Sequence, residues 1–128
     1  MRWRTAQAMV LLTLARALVR FARFAVWRSR LGWPGTASPA QTLLAQRLAR
    51  HVERAADRLP GISKCLPQAM ALSWMLRTRH IPHRVALMVR PEVARGGEDD
   101  LHAMVRCGED IVLGDLPGPW IETLILPL

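Results

Sequence analysis

The sequence predicts an α+β fold with three helices followed by a small antiparallel sheet. Apolar residues recur at helical spacing through roughly the first 80 positions, and Gly and Pro pairs divide them into three stretches. After Ile81-Pro82 the pattern changes to short apolar segments separated by turn residues, which is typical of hairpin strands. Because the helices precede the strands instead of alternating with them, the class is α+β. The 128 residues suit one domain, 1–128, with one core.

The N-terminal segment, about residues 5–30, is expected to form an amphipathic helix. Arg16, Arg20 and Arg23 recur on one helical face and interrupt an otherwise apolar stretch. This excludes a membrane span of about 20 uncharged residues and a signal peptide. The helix is expected to pack on its own domain or on a partner protein, and the alternative is a helix on a membrane surface with its arginines toward the headgroups. The predicted apolar face comprises Val10, Leu14, Leu18, Phe21 and Ala25.

A capping box predicts the start of the second helix. Ser38 fits the N-cap, Pro39 the first helical position and Gln41 the third. Pro60-Gly61 is expected to end this helix. His51 lies within it among charged neighbours, so it is expected at the surface.

The third helix is expected to begin near Cys65 and to run to about residue 79, because Pro67 is tolerated only in an early turn. Most of its positions are apolar, which is typical of a helix central to its domain. Strands are predicted at 84–90, 101–107, 110–115 and 120–126, with a hairpin loop at Gly108-Glu109.

The composition limits the function classes. A formal net charge of +8 fits nucleic acid, anionic lipid or an acidic protein surface, but no nucleic-acid-binding motif is present, so that class is not expected. Neither Cys-x-x-Cys nor His-x-x-x-His spacing occurs, so no metal and no cofactor are expected. Two cysteines are a thin basis for a disulfide framework, and reduced cysteines in a cytoplasmic protein are the simpler interpretation.

Cys65 is the candidate nucleophile. A helix start presents unpaired N–H groups and the positive end of the helix dipole, and both stabilise a thiolate, the reactive form of cysteine. A histidine and a carboxylate on neighbouring strands would complete a Cys-His-Asp triad. The Cys65 N–H is the expected oxyanion donor, and the sequence does not identify a second one.

Of the four histidines, His102 is the best partner for Cys65. His80 lies 15 residues along the same helix, which is roughly 22 Å away at helical rise. His83 comes three residues after His80 and is excluded on similar grounds, and His51 is expected at the surface. His102 comes from a strand and can approach the helix start through tertiary packing.

The predicted hairpin supplies the carboxylate. If Gly108-Glu109 form a two-residue loop, Cys107 pairs with Asp110, and counting back along both strands places His102 opposite Asp115. A three-residue loop would shift this register by one. Asp115 is preferred over Asp110, which would lie roughly 16 Å from His102 at strand rise. Cys107 is excluded as the nucleophile because it points to the opposite face of the strand from His102.

Four segments, residues 65–72, 80–85, 101–105 and 112–115, resemble the transglutaminase-like leader peptidases of lasso peptide biosynthesis. The resemblance extends over most of the chain. Gln68 stands where Arg or Lys is common in that family, and Met104 stands where Trp is common. These departures concern substrate details more than the reaction class.

The resemblance implies a cysteine peptidase of papain- or transglutaminase-like fold, with Cys65, His102 and Asp115 as its triad. It implies cleavage of a precursor peptide between leader and core, after which a separate ATP-dependent cyclase closes the ring. Some relatives carry a leader-binding winged-helix domain ahead of the peptidase. None is expected here, so a separate leader-recognition protein is expected to deliver the substrate. The alternatives are a transglutaminase-like acyl transferase and a non-catalytic basic adaptor that binds a membrane or partner protein.

Overall fold

Among the residues that the structure describes, three helices precede four strands, as the sequence predicts. The computed structural model describes residues 2–21, 30–58, 65–89, 101–114 and 121–127. The helices are α1 (Arg2–Phe21), α2 (Pro39–Arg58) and α3 (Cys65–Thr78). The strands are β1 (Arg84–Val89), β2 (Leu101–Cys107), β3 (Asp110–Leu113) and β4 (Ile121–Leu126). The predicted α+β class is confirmed.

The four strands form one sheet in the order β3-β2-β1-β4, and every neighbouring pair is antiparallel. Cys107 pairs with Asp110, so the predicted two-residue loop at Gly108-Glu109 is confirmed. Gly108 has a positive φ of 62°, which the primed turns of tight hairpins require. The register then shifts between Val105 and Arg106, and Val105 pairs with Leu113.

The helices and one face of the sheet share a large hydrophobic core. Because side chains alternate along a strand, Val85, Ala103 and Val105 enter this core while Met88 and Met104 lie on the opposite face in a second, smaller cluster. In α3 the run of residues 69–76 is buried apart from Trp74, which is half-buried. The prediction that α3 is the central helix is confirmed.

Helix α1 presents a different face to the core than the sequence predicts. Ala8, Leu12 and Ala15 are fully buried, whereas Val10 and Leu14 are exposed. Val10 and Leu14 of the predicted apolar face therefore do not pack on their own domain, whereas the alternatives of a partner protein or a membrane surface stay predictions. Leu18, Phe21 and Ala25, with Arg20 and Arg23, lie outside the residues whose side chains are described.

The start of α2 confirms the predicted capping box. The Gln41 N–H donates to Ser38 Oγ over 3.1 Å, and the Ser38 N–H donates to Gln41 Oε1 over 2.9 Å. His51, however, is only 7% exposed, and its Nδ1 is hydrogen-bonded to Thr5 Oγ1 of α1 at 3.0 Å. The surface prediction for His51 is wrong because α1 packs over it. Pro60-Gly61 lies outside the described residues.

Helix α3 ends in a Schellman motif. The Ile81 N–H donates to the Leu76 carbonyl and the His80 N–H to the Arg77 carbonyl, at 3.0 and 3.1 Å. His80 occupies the left-handed position with a φ of 53°. Ile81 and Leu76 are both buried, as the apolar contact of this motif requires. These bonds satisfy carbonyls that a helix end leaves without partners.

A buried polar network joins this end of α3 to the segment before α2. The Gly32 N–H donates to Ser73 Oγ over 2.9 Å, and Ser73 Oγ lies 2.7 Å from His83 Nε2. His83 Nδ1 lies 2.8 Å from the Ile81 carbonyl, which can only accept, so Nδ1 carries the proton and Nε2 accepts from the serine hydroxyl. Arg77 completes the network by donating to the Gly32 carbonyl over 2.8 Å.

Candidate active site

Cys65 is the first residue of α3, at the position the sequence predicts. Its backbone N–H therefore belongs to the first turn, where no carbonyl of the same helix is available as a partner. Pro67 falls in the same turn, where its missing N–H costs no helical bond. The side chain of Cys65 lies outside the described residues.

His102 lies on β2 and is 2% exposed. Its Nε2 lies 2.5 Å from the carbonyl oxygen of Gly114, at the end of β3. A carbonyl only accepts hydrogen bonds, so Nε2 must carry a proton and donate it. In the neutral ring the lone pair then belongs to Nδ1, which is the nitrogen able to act as a base. The protein backbone thus selects the tautomer of this histidine.

The position of His102 on the strand also separates it from the large core. Ala103 and Val105 enter that core, and Met104 lies in the smaller cluster on the other face. Alternation along β2 therefore places His102 on the face of Met104. The ring reaches the Gly114 carbonyl at the end of β3.

Gly114 is a site residue that the sequence pattern does not identify, because it falls inside the predicted strand 110–115. It has a φ of +83°, and a Cβ there would lie 2.6 Å from the Ala103 carbonyl oxygen and 3.3 Å from His102 Nε2. Only glycine lets this strand approach β2 closely enough for its carbonyl to reach the histidine. The sequence signal that points to Gly114 is its position directly before the candidate Asp115.

The residue-by-residue count that placed Asp115 opposite His102 is wrong, because the register shifts between the hairpin loop and His102. The shift between Val105 and Arg106 moves the pairing by one residue, and the described ladder ends at Leu113. Uninterrupted counting from the hairpin loop therefore does not apply at His102. Asp115 itself lies outside the described residues, so its place in the triad stays a prediction.

The other titratable candidates have structural surroundings. Burial lowers the pKa of His83 to about 4, with Arg77 adding to the effect and the Ile81 carbonyl opposing it. Burial also lowers the pKa of His51, to which nearby arginines and the N-terminus contribute. Burial, followed by the charge of Asp110, raises the pKa of Cys107 to about 11. Cys107 is 2% exposed in the large core, so its thiol is held in the unreactive form, as predicted.

A cavity of about 280 Å³ opens on the sheet face opposite the large core. Its walls include Arg84, Arg106 and Ile125, so it lies toward the hairpin end of β2, away from His102. Arg106 is paired there with Glu122. Among the described residues no group of three or more His, Cys, Asp or Glu could hold a metal ion.

Comparison with known proteins shows the family of the chain. Residues 8–121 match the family model of the transglutaminase-like superfamily, which is most of the chain. Neither a curated protein nor a solved structure gives a match. Members of the superfamily are typically cysteine peptidases or acyl transferases. With its helix-initial cysteine and its strand histidine in the expected order, the chain belongs to the transglutaminase-like superfamily.

Proposed function

We propose that this protein is a cysteine peptidase that removes the leader from a ribosomal precursor peptide during lasso peptide maturation. The observation that carries the proposal is the hydrogen bond from His102 Nε2 to the Gly114 carbonyl, because it fixes the tautomer in which Nδ1 carries the basic lone pair. The start of α3 at Cys65 supports the same chemistry by supplying a helix N-terminus for the thiolate.

In the proposed mechanism His102 Nδ1 takes the thiol proton of Cys65, or the two rest as an ion pair. The thiolate attacks the scissile carbonyl carbon, and the carbonyl oxygen becomes an oxyanion that accepts from the Cys65 N–H. The intermediate collapses as the C–N bond breaks, and His102 gives its proton to the leaving amine. This step frees the α-amine of the core peptide.

The second half of the cycle hydrolyses the thioester. His102 removes a proton from a water molecule, whose oxygen attacks the thioester carbonyl. The C–S bond breaks, which releases the leader as a carboxylic acid and frees the Cys65 sulfur for the next cycle. In both halves the Gly114 carbonyl holds the ring orientation, and we assign to Asp115 the negative charge that stabilises the imidazolium. Gly114 is the immediate neighbour of Asp115, which suits this role.

The proposed partners follow from the chemistry of the substrate. A separate leader-recognition protein delivers the precursor peptide, and an ATP-dependent cyclase uses the α-amine that cleavage exposes. We place the reaction in the cytoplasm, where a thiolate nucleophile stays reduced. In the described part of the chain no helix is long and apolar enough to cross a membrane.

The decisive experiment incubates the chain with a precursor peptide and a leader-recognition protein and follows the products by mass spectrometry. Cys65→Ala is expected to lower leader release by at least about 10³-fold, because the nucleophile is lost. Cys107→Ala is the matched control and should retain activity, since that thiol is buried in the core. Cleavage by Cys65→Ala at the normal rate would refute the mechanism.

Product masses separate hydrolysis from acyl transfer, the other chemistry of the superfamily. Hydrolysis adds one water across the two fragments, whereas transfer leaves the acceptor amine attached to the leader. Alkylation gives a second test. Iodoacetamide at neutral pH should label Cys65 well before Cys107, whose pKa is about 11. A non-catalytic adaptor would show neither cleavage nor selective labelling.

A further inference from the structure

Helix α1 turns an uncharged face to solvent. Between positions 3 and 17 its exposed residues are Trp3, Ala6, Val10, Thr13, Leu14 and Ala17. Trp3, Val10 and Leu14 are 65%, 67% and 50% exposed. The single polar member, Thr13, donates its hydroxyl to the Met9 carbonyl of the same helix over 2.8 Å. This face, from Trp3 to Ala17, is called the outer face of α1 below.

Helix α2 shows that this pattern is unusual within the same protein. Charged residues occupy most of its exposed positions, as expected where a helix faces water. The outer face of α1 instead runs for roughly 21 Å at helical rise without a charge. An apolar strip of this length facing solvent indicates an interaction surface.

The charge around the outer face has one sign. Nine arginines and no acidic residue precede Glu53, whereas positions 53–128 hold ten acidic and nine basic residues. The whole net charge of +8 therefore comes from the part of the chain that contains α1. On α1 itself, Arg4 and Arg16 are partly exposed. At 3.6 residues per turn each lies about 120° around the axis from Val10, at the border of the face that is buried in the domain.

We propose that the outer face of α1 docks on an anionic lipid bilayer, with the helix lying in the plane of the surface. Trp3, Val10 and Leu14 would enter the boundary between headgroups and acyl chains. The basic N-terminal part adds long-range attraction to the surface.

Two other occupants fit the same face less well. A second copy would bring two strongly basic regions together, and like charges oppose that association. A protein partner ordinarily makes about one hydrogen bond per 100–200 Å² of interface. The outer face offers no side-chain group for this apart from Thr13, which is already bonded within the helix. A lipid surface requires no such groups.

The test is co-sedimentation of the full chain with vesicles. Vesicles of phosphatidylcholine with about 30 mol % phosphatidylglycerol should bind the protein, and phosphatidylcholine alone should bind it at least about tenfold more weakly. The double variant Val10→Glu/Leu14→Glu should lower binding to the anionic vesicles by at least about tenfold, because it places two carboxylates in the apolar strip. Leu43→Glu is the matched control on α2, where Leu43 is 50% exposed, and it should change binding by less than about twofold.

Several results would overturn the proposal. Absence of binding to anionic vesicles would do so, as would an equal loss in Leu43→Glu. A dimer that Val10→Glu/Leu14→Glu dissociates in analytical ultracentrifugation would assign the face to a second copy. Loss of leader release by the same variant without lipid would assign it to the protein partner. Circular dichroism should show unchanged helix content in every variant, because all three positions are exposed.

Discussion

Two histidines that are buried to the same extent, His83 and His102, are held through different ring nitrogens. His83 donates from Nδ1 to the Ile81 carbonyl, and its Nε2 accepts from the Ser73 hydroxyl. His102 donates from Nε2 to the Gly114 carbonyl, which selects the opposite tautomer. Both residues are 2% exposed. Burial therefore does not separate a structural histidine from a catalytic candidate, whereas the nitrogen that carries the proton differs between the two.

The largest expected effect separates the two histidines by function. His102→Ala should lower leader release per folded molecule by at least about 10⁴-fold, because it removes the base of the reaction. His83→Ala should lower the melting temperature, because it leaves the Ser73 hydroxyl and the Gly32 segment without their buried partner. Its folded fraction should retain activity. Leader-release assays and thermal melts on both variants give the comparison.

The reverse outcome would remove the distinction between the two histidines. An active His102→Ala variant would show that Nδ1 of this ring is not the base. A stable but inactive His83→Ala variant would place His83 in the reaction.

Acid should weaken the C-terminal end of α3 through His83. The folded-state pKa is about 4 and the ordinary value is 6.5, so between these values the unfolded chain binds a proton that the folded chain does not. Stability from this group is therefore complete above pH 6.5 and falls as the pH drops toward 4. At 1.36 kcal/mol per pKa unit, the loss is about 3 kcal/mol.

Urea unfolding of wild type and His83→Gln from pH 7 to pH 4 measures this loss. The free energy of unfolding should converge between the two proteins by about 3 kcal/mol as the pH falls, because glutamine does not titrate. A constant difference across this range would mean that His83 is protonated in the folded protein or already exposed to water.

Gly114→Ala tests how the orientation of His102 depends on the end of β3. The added Cβ would meet the Ala103 carbonyl at 2.6 Å, so the strand must move away and its carbonyl must leave His102. Leader release should fall by about 10²-fold, the usual cost of a misplaced catalytic group. Gly108→Ala is the matched control, because Gly108 also has positive φ but nothing lies within 4 Å of its Cβ position.

Gly108→Ala should lose about 1 kcal/mol of stability from the strained backbone. Gly114→Ala should lose more, because its Cβ also meets the Ala103 carbonyl. Only Gly114→Ala should also lose activity. If the two variants retain the same turnover, the Gly114 carbonyl does not orient the histidine.

The sequence predicted the features that one or two residues determine locally. Pro67 fixed the start of α3 at Cys65, and the Ser38 capping box fixed the start of α2. Gly108 determined the hairpin loop. The register shift at Val105 could not be predicted, because no single residue in the strand encodes it. The straight count from the loop to Asp115 failed for that reason.

The face of α1 that packs on its own domain could not be predicted, for a different reason. The prediction selected its largest apolar residues, including Val10 and Leu14, yet the core receives Ala8 and Ala15 with Leu12. Small side chains let two helices approach closely, so tertiary packing favours them over larger residues that would hold the helices apart. The same packing buries His51 beneath α1, which no pattern within α2 indicates.

The smallest effect is expected at His80, the left-handed residue that ends α3. His80→Gly and His80→Ala both remove the ring contact with Trp33, whose centroid lies 4.9 Å away. Only glycine also removes the strain of the 53° φ, so His80→Gly should be more stable than His80→Ala by about 1 kcal/mol. At the exposed interior position Arg47 of α2 the order should reverse, with alanine favoured by about 1 kcal/mol. Urea unfolding of these four variants gives both differences, and the same order at both sites would show that His80 is not held in the left-handed conformation.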